Sequence, residues 1–158
     1  SFIYLKNNNM LSNYKIFIIG DGVDLNEYIN KYINEDIIFT GAIYDEKIIA
    51  NYLYNAEAMI SPGHVGLNVI HSFTYGTPVI THSNKYKHAP EFEAITNKTG
   101  SFFKEDSCLD LSNTLVKWVG SKRNREITRA NCFKVIDQFY NPINQKLIMK
   151  NLIKKITK

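Results

Sequence analysis

The sequence has few of the features that hold small extracellular domains or metal sites together. It carries two cysteines, Cys108 and Cys132, in 158 residues. Their spacing fits neither a zinc knuckle nor a redox pair, so both are expected as buried thiols in a reducing cytoplasm. Its four histidines include no His-x-x-x-His helix, and no metal site is expected. No run of about 18 apolar residues exists, so no segment is expected to span a membrane. Neither a signal-peptide pattern nor an internal repeat, low-complexity stretch or linker is visible.

What is present is an ordinary globular balance, 44% hydrophobic, 13% aromatic and 22% charged. The length suits one domain with one core, and residues 1–158 are read as a single domain. The formal net charge is +4, with basic residues gathered toward the C-terminus: Lys117, Lys122, Arg123, Arg125, Arg129, then Lys146, Lys150, Lys154, Lys155 and Lys158. They read as a solvated helical face; the sharper alternative is a peripheral contact with anionic membrane lipid. They are not interleaved with stacking aromatics, so nucleic acid is not an expected partner.

Apolar runs of strand length alternate with helical patterns. Strands are expected at Tyr14–Ile19, Asp36–Thr40, Ala58–Ser61, Val79–Thr81 and Ser101–Phe103. Between them lie helices at Asp24–Ile33, with Leu25, Tyr28, Ile29 and Ile33 in phase, at Asp45–Asn55, with Ile48, Ile49, Tyr52 and Leu53 inward, and at Leu67–Tyr75. Ser1–Lys6 reads as the tail of a helix. Leu109–Val119, Arg123–Phe139 and Pro142–Ile156 form a helical C-terminal tail, broken at Tyr140-Asn-Pro142. Strands separated by helices predict an α/β, Rossmann-like fold, one parallel sheet with helices on both faces.

In such a sheet, ligands bind beyond the carboxyl ends of the strands. The candidate loops are Gly20–Val23, Gly41–Tyr44, Ser61–Leu67 and Thr81–Glu91. The third is the most informative. Ser61-Pro-Gly-His-Val-Gly-Leu67 runs from a strand end into a helix, and Gly63 and Gly66 let backbone approach a ligand closely. A helix start offers unpaired N–H groups and a positive dipole end, which suits a diphosphate. Glycine spacing alone leaves this reading level with a plain strand-to-helix turn.

The ordered motifs decide between them. Gly66-Leu67 followed by Gly76-Thr-Pro-Val-Ile80, after Ala56-Glu-Ala-Met-Ile-Ser-Pro62, resembles the signature of family 4 glycosyltransferases with the GT-B fold. Ile18-Ile-Gly-Asp-Gly22, Ile37-Ile-Phe-Thr-Gly41, Pro90-Glu91 and Thr99-Gly100 resemble the family's other landmarks in the same order, from about Tyr14 to Trp118. The family's two glutamates eight positions apart are missing: Gly63 and His71 stand there. The substituted run SPGHVGLNVIHSFTYGTPVITH is similar to a subgroup from bacterial polysaccharide clusters.

The resemblance implies the C-terminal, donor-binding half of an enzyme that transfers a hexose from a UDP- or GDP-sugar during surface polysaccharide synthesis. Transfer would be retaining and metal-independent, with no cofactor beyond the nucleotide-sugar substrate. The acceptor, a glycan or lipid-linked sugar, would bind an N-terminal domain upstream, together with a first strand bearing cationic residues. This half alone would be inactive, and the enzyme cytoplasmic or peripheral at the inner membrane. Residue by residue, the resemblance puts Gly20, Gly22, Gly41, Ile43, Gly63, Gly66, Leu67, Asn68 and His71 at the donor nucleotide. Glu91 and His64 would be the catalytic or sugar-facing groups, with Glu93 a weaker copy of Glu91. His71 shares a helical face with Asn68 and Tyr75 and could hydrogen-bond the ribose. His82 and His88, with Lys85 and Lys87, read first as a solvated loop, with phosphate contact as the sharper alternative. The alternatives are a catalytically inactive nucleotide-sugar-binding module, a sugar-nucleotide epimerase of similar shape, and a plain α/β interaction domain.

Overall fold

A computed structural model describes residues 1–32 and 36–157. Seven α-helices and five strands alternate among the described residues: α1 (Phe2–Asn7), β1 (Ile16–Ile19), α2 (Leu25–Tyr32), β2 (Ile37–Gly41), α3 (Glu46–Asn55), β3 (Met59–Ser61), α4 (Leu67–Thr74), β4 (Val79–His82), β5 (Gly100–Phe103), α5 (Cys108–Gly120), α6 (Arg125–Val135) and α7 (Pro142–Ile156). Ile33, expected in the second helix, lies outside the described residues.

Every strand pair is parallel, as crossover helices require. The expected single sheet is, however, two: β1 pairs with β2, and β3-β4-β5 form a second sheet. The reason lies at the edges. β1 bonds β2 on one side, and β3 bonds β4 on one side, with no described strand between β1 and β3. Phe17, Ile18 and Ile19 on β1 are consequently exposed, although they are the residues a central strand buries.

The larger sheet carries the core on both faces. Val65, Val69, Phe73, Val79, Ala94, Ile95 and Cys132 close one cluster, through α4 and α6. Leu5, Leu11, Ile80, Phe103, Leu115 and Trp118 close the other, through α1 and α5. Gly100 sits where β5 crosses closest to β4: a Cβ there would stand 2.0 Å from the Val79 carbonyl oxygen.

Local signals set most helix ends. Asp45, Ser107, Asn124 and Asn141 each accept an N-terminal amide from α3, α5, α6 and α7 respectively. The helix expected over Arg123–Phe139 instead ends at Val135 and continues as a π turn, Ile136–Tyr140. Ile48, expected inward, is exposed, whereas Tyr52 of α3 packs on Phe17 of the small sheet, ring centres 5.1 Å apart.

The basic tail is not one solvated face. Arg129 is 5% exposed, donates to the Tyr54 and Tyr75 carbonyls (2.8 and 3.2 Å), and stacks on the Tyr54 ring. Arg125 donates to the Tyr54, Asn55 and Ala56 carbonyls. Together they satisfy the orphan carbonyls at the C-terminus of α3 with positive charge. Arg123 stacks on Trp118 and pairs with Glu57 at 3.6 Å. On α7, by contrast, no residue is buried.

The two thiols also differ. Cys132 is buried and burial pushes its thiol up to about 12, whereas Cys108, expected inside, is exposed at the first position of α5. A disulfide-exchange reagent at pH 8 should therefore titrate one thiol in the native protein and two in denaturant. Rapid reaction of both in the native state would contradict this packing.

Candidate functional site

The loop between β3 and α4 is braced from its own strand and from the next one. The Ser61 hydroxyl donates to the His64 carbonyl (3.2 Å), and the Thr81 hydroxyl donates to the Ser61 carbonyl (2.8 Å). Val65 is fully buried and anchors the loop to the core. From the far side, the Ala89 N–H donates to the Val65 carbonyl, and the Val65 N–H donates to His88 Nδ1 (3.1 Å).

His88 therefore has a fixed role. Its Nδ1 accepts from Val65 and its Nε2–H donates to the His82 carbonyl (3.0 Å), so the ring is a neutral strut. It stacks between His82, 4.0 Å away, and Phe92, 4.6 Å away. With both nitrogens engaged it can neither donate to a phosphate nor ligate a metal. Lys87 is likewise taken, by Glu105 at 2.6 Å, and this pairing raises its pKa. The alternative that His88 and Lys87 meet phosphate gives way to a structural role for both. No group of three or more potential metal ligands occurs among the described residues.

His82 is 3% exposed, and its burial pulls its pKa below 6.5. In the window between its folded value and 6.5 the unfolded chain holds a proton that the native state rejects. The stability that neutral His82 contributes is complete above 6.5 and is lost as pH falls through the folded value. The melting temperature should fall between pH 7 and pH 5, and His82→Asn should flatten that slope. Equal slopes for both proteins would remove His82 from the account.

α4 opens at Gly66. A Cβ built on Gly66 would lie 3.5 Å from His64 Nε2, 3.9 Å from Glu91 Oε2 and 3.3 Å from Ala89 Cβ. His64, Gly66 and Glu91, separated by up to 27 residues in sequence, thus face one point. His64 Nδ1 contacts the Lys87 carbonyl at 3.0 Å as the donor, which leaves Nε2 as the acceptor toward that point. Glu91 heads a short 3₁₀ helix, Pro90–Ala94. Glu93 is exposed.

Not every amide of the opening turn is free. The Gly66 N–H donates to Asn68 Oδ1 (2.8 Å), so the oxygen of that exposed side chain closes the turn. The amides of Leu67 and Asn68 themselves have no protein acceptor among the described residues. They are the two donors that α4 presents at its positive end. Leu67 is 75% exposed beside them, and Gly63 has open space around it.

The remaining expected positions cluster at the small sheet. Gly20 and Gly41 end β1 and β2, with φ of 148° and 70°, and the Gly20 N–H donates to the Gly41 carbonyl at 2.9 Å. Both positions need glycine for that left-handed backbone. Gly22 closes a turn on Asp21 Oδ1, and Ile43 lies in the loop that enters α3. His71 is the link between the clusters. Its Nε2 meets Glu46 Oε1 at 2.7 Å, and the Tyr75 hydroxyl donates to that same oxygen. Those bonds, Tyr75 first and then His71, hold the Glu46 carboxyl below the usual carboxylate range, and raise the Tyr75 phenol. The sequence reading missed Glu46. Its one local sign was an acidic helix start directly after the β2 loop.

A cavity of about 720 Å³ lies elsewhere, between β1, β2 and α2, lined by Gly20, Gly22, Ile16, Ile18, Tyr28 and Phe39 among others.

A family model described as glycosyl transferases group 1 matches residues 2–134 of the chain. The chain belongs to the group 1 glycosyl transferases. No curated protein matches its sequence. Among solved structures, the group 1 chain resembles the lipopolysaccharide outer core galactosyltransferase WaaB in its apo form, with TM-score 0.68 and 17% identity over 97% of this chain and 45% of that one. Sucrose-phosphate synthase from Thermosynechococcus elongatus gives TM-score 0.68 and 18% identity over 90% and 38% of the two chains. Anabaena HepE in complex with UDP gives 0.63 and 15% over 92% and 43%. At these identities the likeness is one of fold: this chain has the architecture of one Rossmann-like half of a GT-B glycosyltransferase. The chain spans less than half the length of each of these structures.

Proposed function

We propose that this chain is the donor-binding half of a transferase that uses a nucleoside-diphosphate sugar. The observation that carries the proposal is the convergence at α4. Two free amides, Leu67 and Asn68, open the helix, and His64 Nε2 and Glu91 Oε2 reach the point beside them. The amides and the helix dipole receive the diphosphate, stabilising the charge that grows on it as the glycosidic bond breaks. Glu91 cannot face a phosphate without repulsion, so it accepts from sugar hydroxyls. His64, as an acceptor through Nε2, does the same or takes a proton. Anabaena HepE, whose structures hold UDP or UDP-glucose, supports a nucleotide of this class.

In this reading no divalent ion is needed, because fixed donors supply the positive potential. The open edges of β1 and β3 suit one further parallel strand, which would complete the doubly wound order 3-2-1-4-5-6. That puts the α4 loop at the switch point of the sheet, where such folds bind ligands. The strand and an acceptor domain for a glycan or lipid-linked sugar belong to a longer enzyme of surface polysaccharide synthesis, working in the cytoplasm or at the inner membrane face. Transfer would retain the anomeric configuration, and this half alone would not turn over.

Calorimetry with UDP, GDP and their glucose conjugates tests the proposal on the chain as it stands. Saturable binding of at least one diphosphate, weaker for the matching monophosphate and unchanged by a chelator, is expected. No binding of any diphosphate at millimolar concentration would overturn it.

A further inference from the structure

We infer that Glu46, oriented by His71 and Tyr75, is the carboxylate that receives the ribose hydroxyls of the donor nucleotide. The inference rests on the diphosphate site proposed at α4 and adds to it a residue from a different helix.

Glu46 is the first residue of α3, fixed in place by the Asp45 cap on Lys47. It follows the loop from the carboxyl end of β2, on the side of the fold where α4 also begins. Both donors, His71 Nε2 and the Tyr75 hydroxyl, bind Oε1. Oε2 accepts from no described residue. The side chain is 61% exposed and His71 is 40% exposed, so a ligand can reach the pair. An exposed glutamate ordinarily samples many rotamers, and two donors on a single oxygen hold this one in a single orientation. The arrangement is preorganised, with one carboxylate oxygen facing outward.

The spacing fits a nucleotide. From the free amide of Leu67 to His71 the helix rises about 6 Å. That is close to the reach from a nucleoside's 5′ phosphate to its 2′ and 3′ hydroxyls. A carboxylate is the acceptor that a vicinal diol requires, since it takes two O–H donors without offering a competing proton. Acidic groups at a strand's carboxyl end serve ribose in the same way in dinucleotide folds. His71 cannot do this alone, because its Nε2 is committed to Glu46. His71 and Tyr75 are therefore positioning residues, and Glu46 makes the contact.

The test is a cycle on the whole chain, with Glu46→Gln against wild type and UDP and GDP against their 2′,3′-dideoxy forms, read by calorimetry. Glu46→Gln should weaken binding of the ribose nucleotide about tenfold and leave the dideoxy affinity within twofold. His71→Asn should fall between, and circular dichroism should show unchanged folding for each variant. Equal weakening of ribose and dideoxy forms, or none, would overturn the assignment while leaving the diphosphate site intact. Absence of any nucleotide binding by the wild type would instead overturn the α4 site, and this assignment with it.

Discussion

Gly66→Asp is expected to weaken nucleoside-diphosphate binding by at least tenfold while leaving the fold intact. The two effects have opposite signs at this position, which makes the variant informative. Aspartate is a preferred N-cap, and in place of glycine it should stabilise α4 by roughly 0.3 kcal/mol. Its Cβ would stand 3.5 Å from His64 Nε2 and 3.9 Å from Glu91 Oε2, and its carboxylate would lie beside the Leu67 and Asn68 amides, where the diphosphate is placed. Two like charges about 4 Å apart repel by roughly 4 kcal/mol at the effective dielectric of a protein surface, well beyond the ~1.4 kcal/mol of a tenfold change. Gly66→Ser is the control. It brings the same crowding against Ala89 Cβ at 3.3 Å and the same capping ability, but no charge. It should bind the nucleotide far better than Gly66→Asp. Calorimetry and a thermal melt on both variants check this; parallel losses in affinity would mean that bulk, not charge, governs the position.

Gly100→Ala should cause the largest loss of stability from a single methyl group. The new Cβ would lie 2.0 Å from the Val79 carbonyl oxygen, 2.8 Å from Ile95 Cγ2 and 3.1 Å from the Val79 carbonyl carbon. Two of those three atoms are backbone of β4, the middle strand of the larger sheet, and no rotamer change relieves them. The register Val79 to Gly100 would have to open, which costs about 3 kcal/mol or more. For a domain of this size that lowers the melting temperature by roughly 10 °C. Gly120→Ala, at the end of α5 with nothing within 4 Å of its Cβ, should shift it by a degree or two at most. A melt for Gly100→Ala close to wild type would mean that β5 does not approach β4 as described.

The fold was largely legible in the chain because its signals are local. α7 spans the residues expected, since Asn141 caps it and Pro142 can only start it. The turn at Ser61–Leu67 was legible for the same reason. What the chain concealed depends on partners far apart in sequence. Arg129 reads as one more surface cation until the carbonyls of Tyr54 and Tyr75 surround it. Cys108 reads as a core thiol because thiols usually are, yet it opens a helix on the outside. The division into two sheets leaves no trace in periodicity, because each strand carries the same apolar run whether or not both its edges are bonded.

The candidate site divides in the same way. His64, Gly66 and Glu91 were expected together and converge, and Gly20 and Gly41 end adjacent strands. Asn68 also closes its own turn through its side-chain oxygen, a bond the sequence did not announce. His88 reads as part of a solvated loop and instead holds two loops together. Glu46 lies 25 residues from the histidine it binds, and only the packing of α3 beside α4 reveals it.

The position of the nucleotide's phosphates decides whether the start of α4 is the donor site. A crystal structure of the chain with UDP or GDP locates them directly. Phosphate oxygens about 3 Å from the amides of Leu67 and Asn68, with the ribose directed toward Glu46, are predicted. Phosphates in the apolar cavity beside Tyr28, or anywhere out of reach of those two amides, would contradict it.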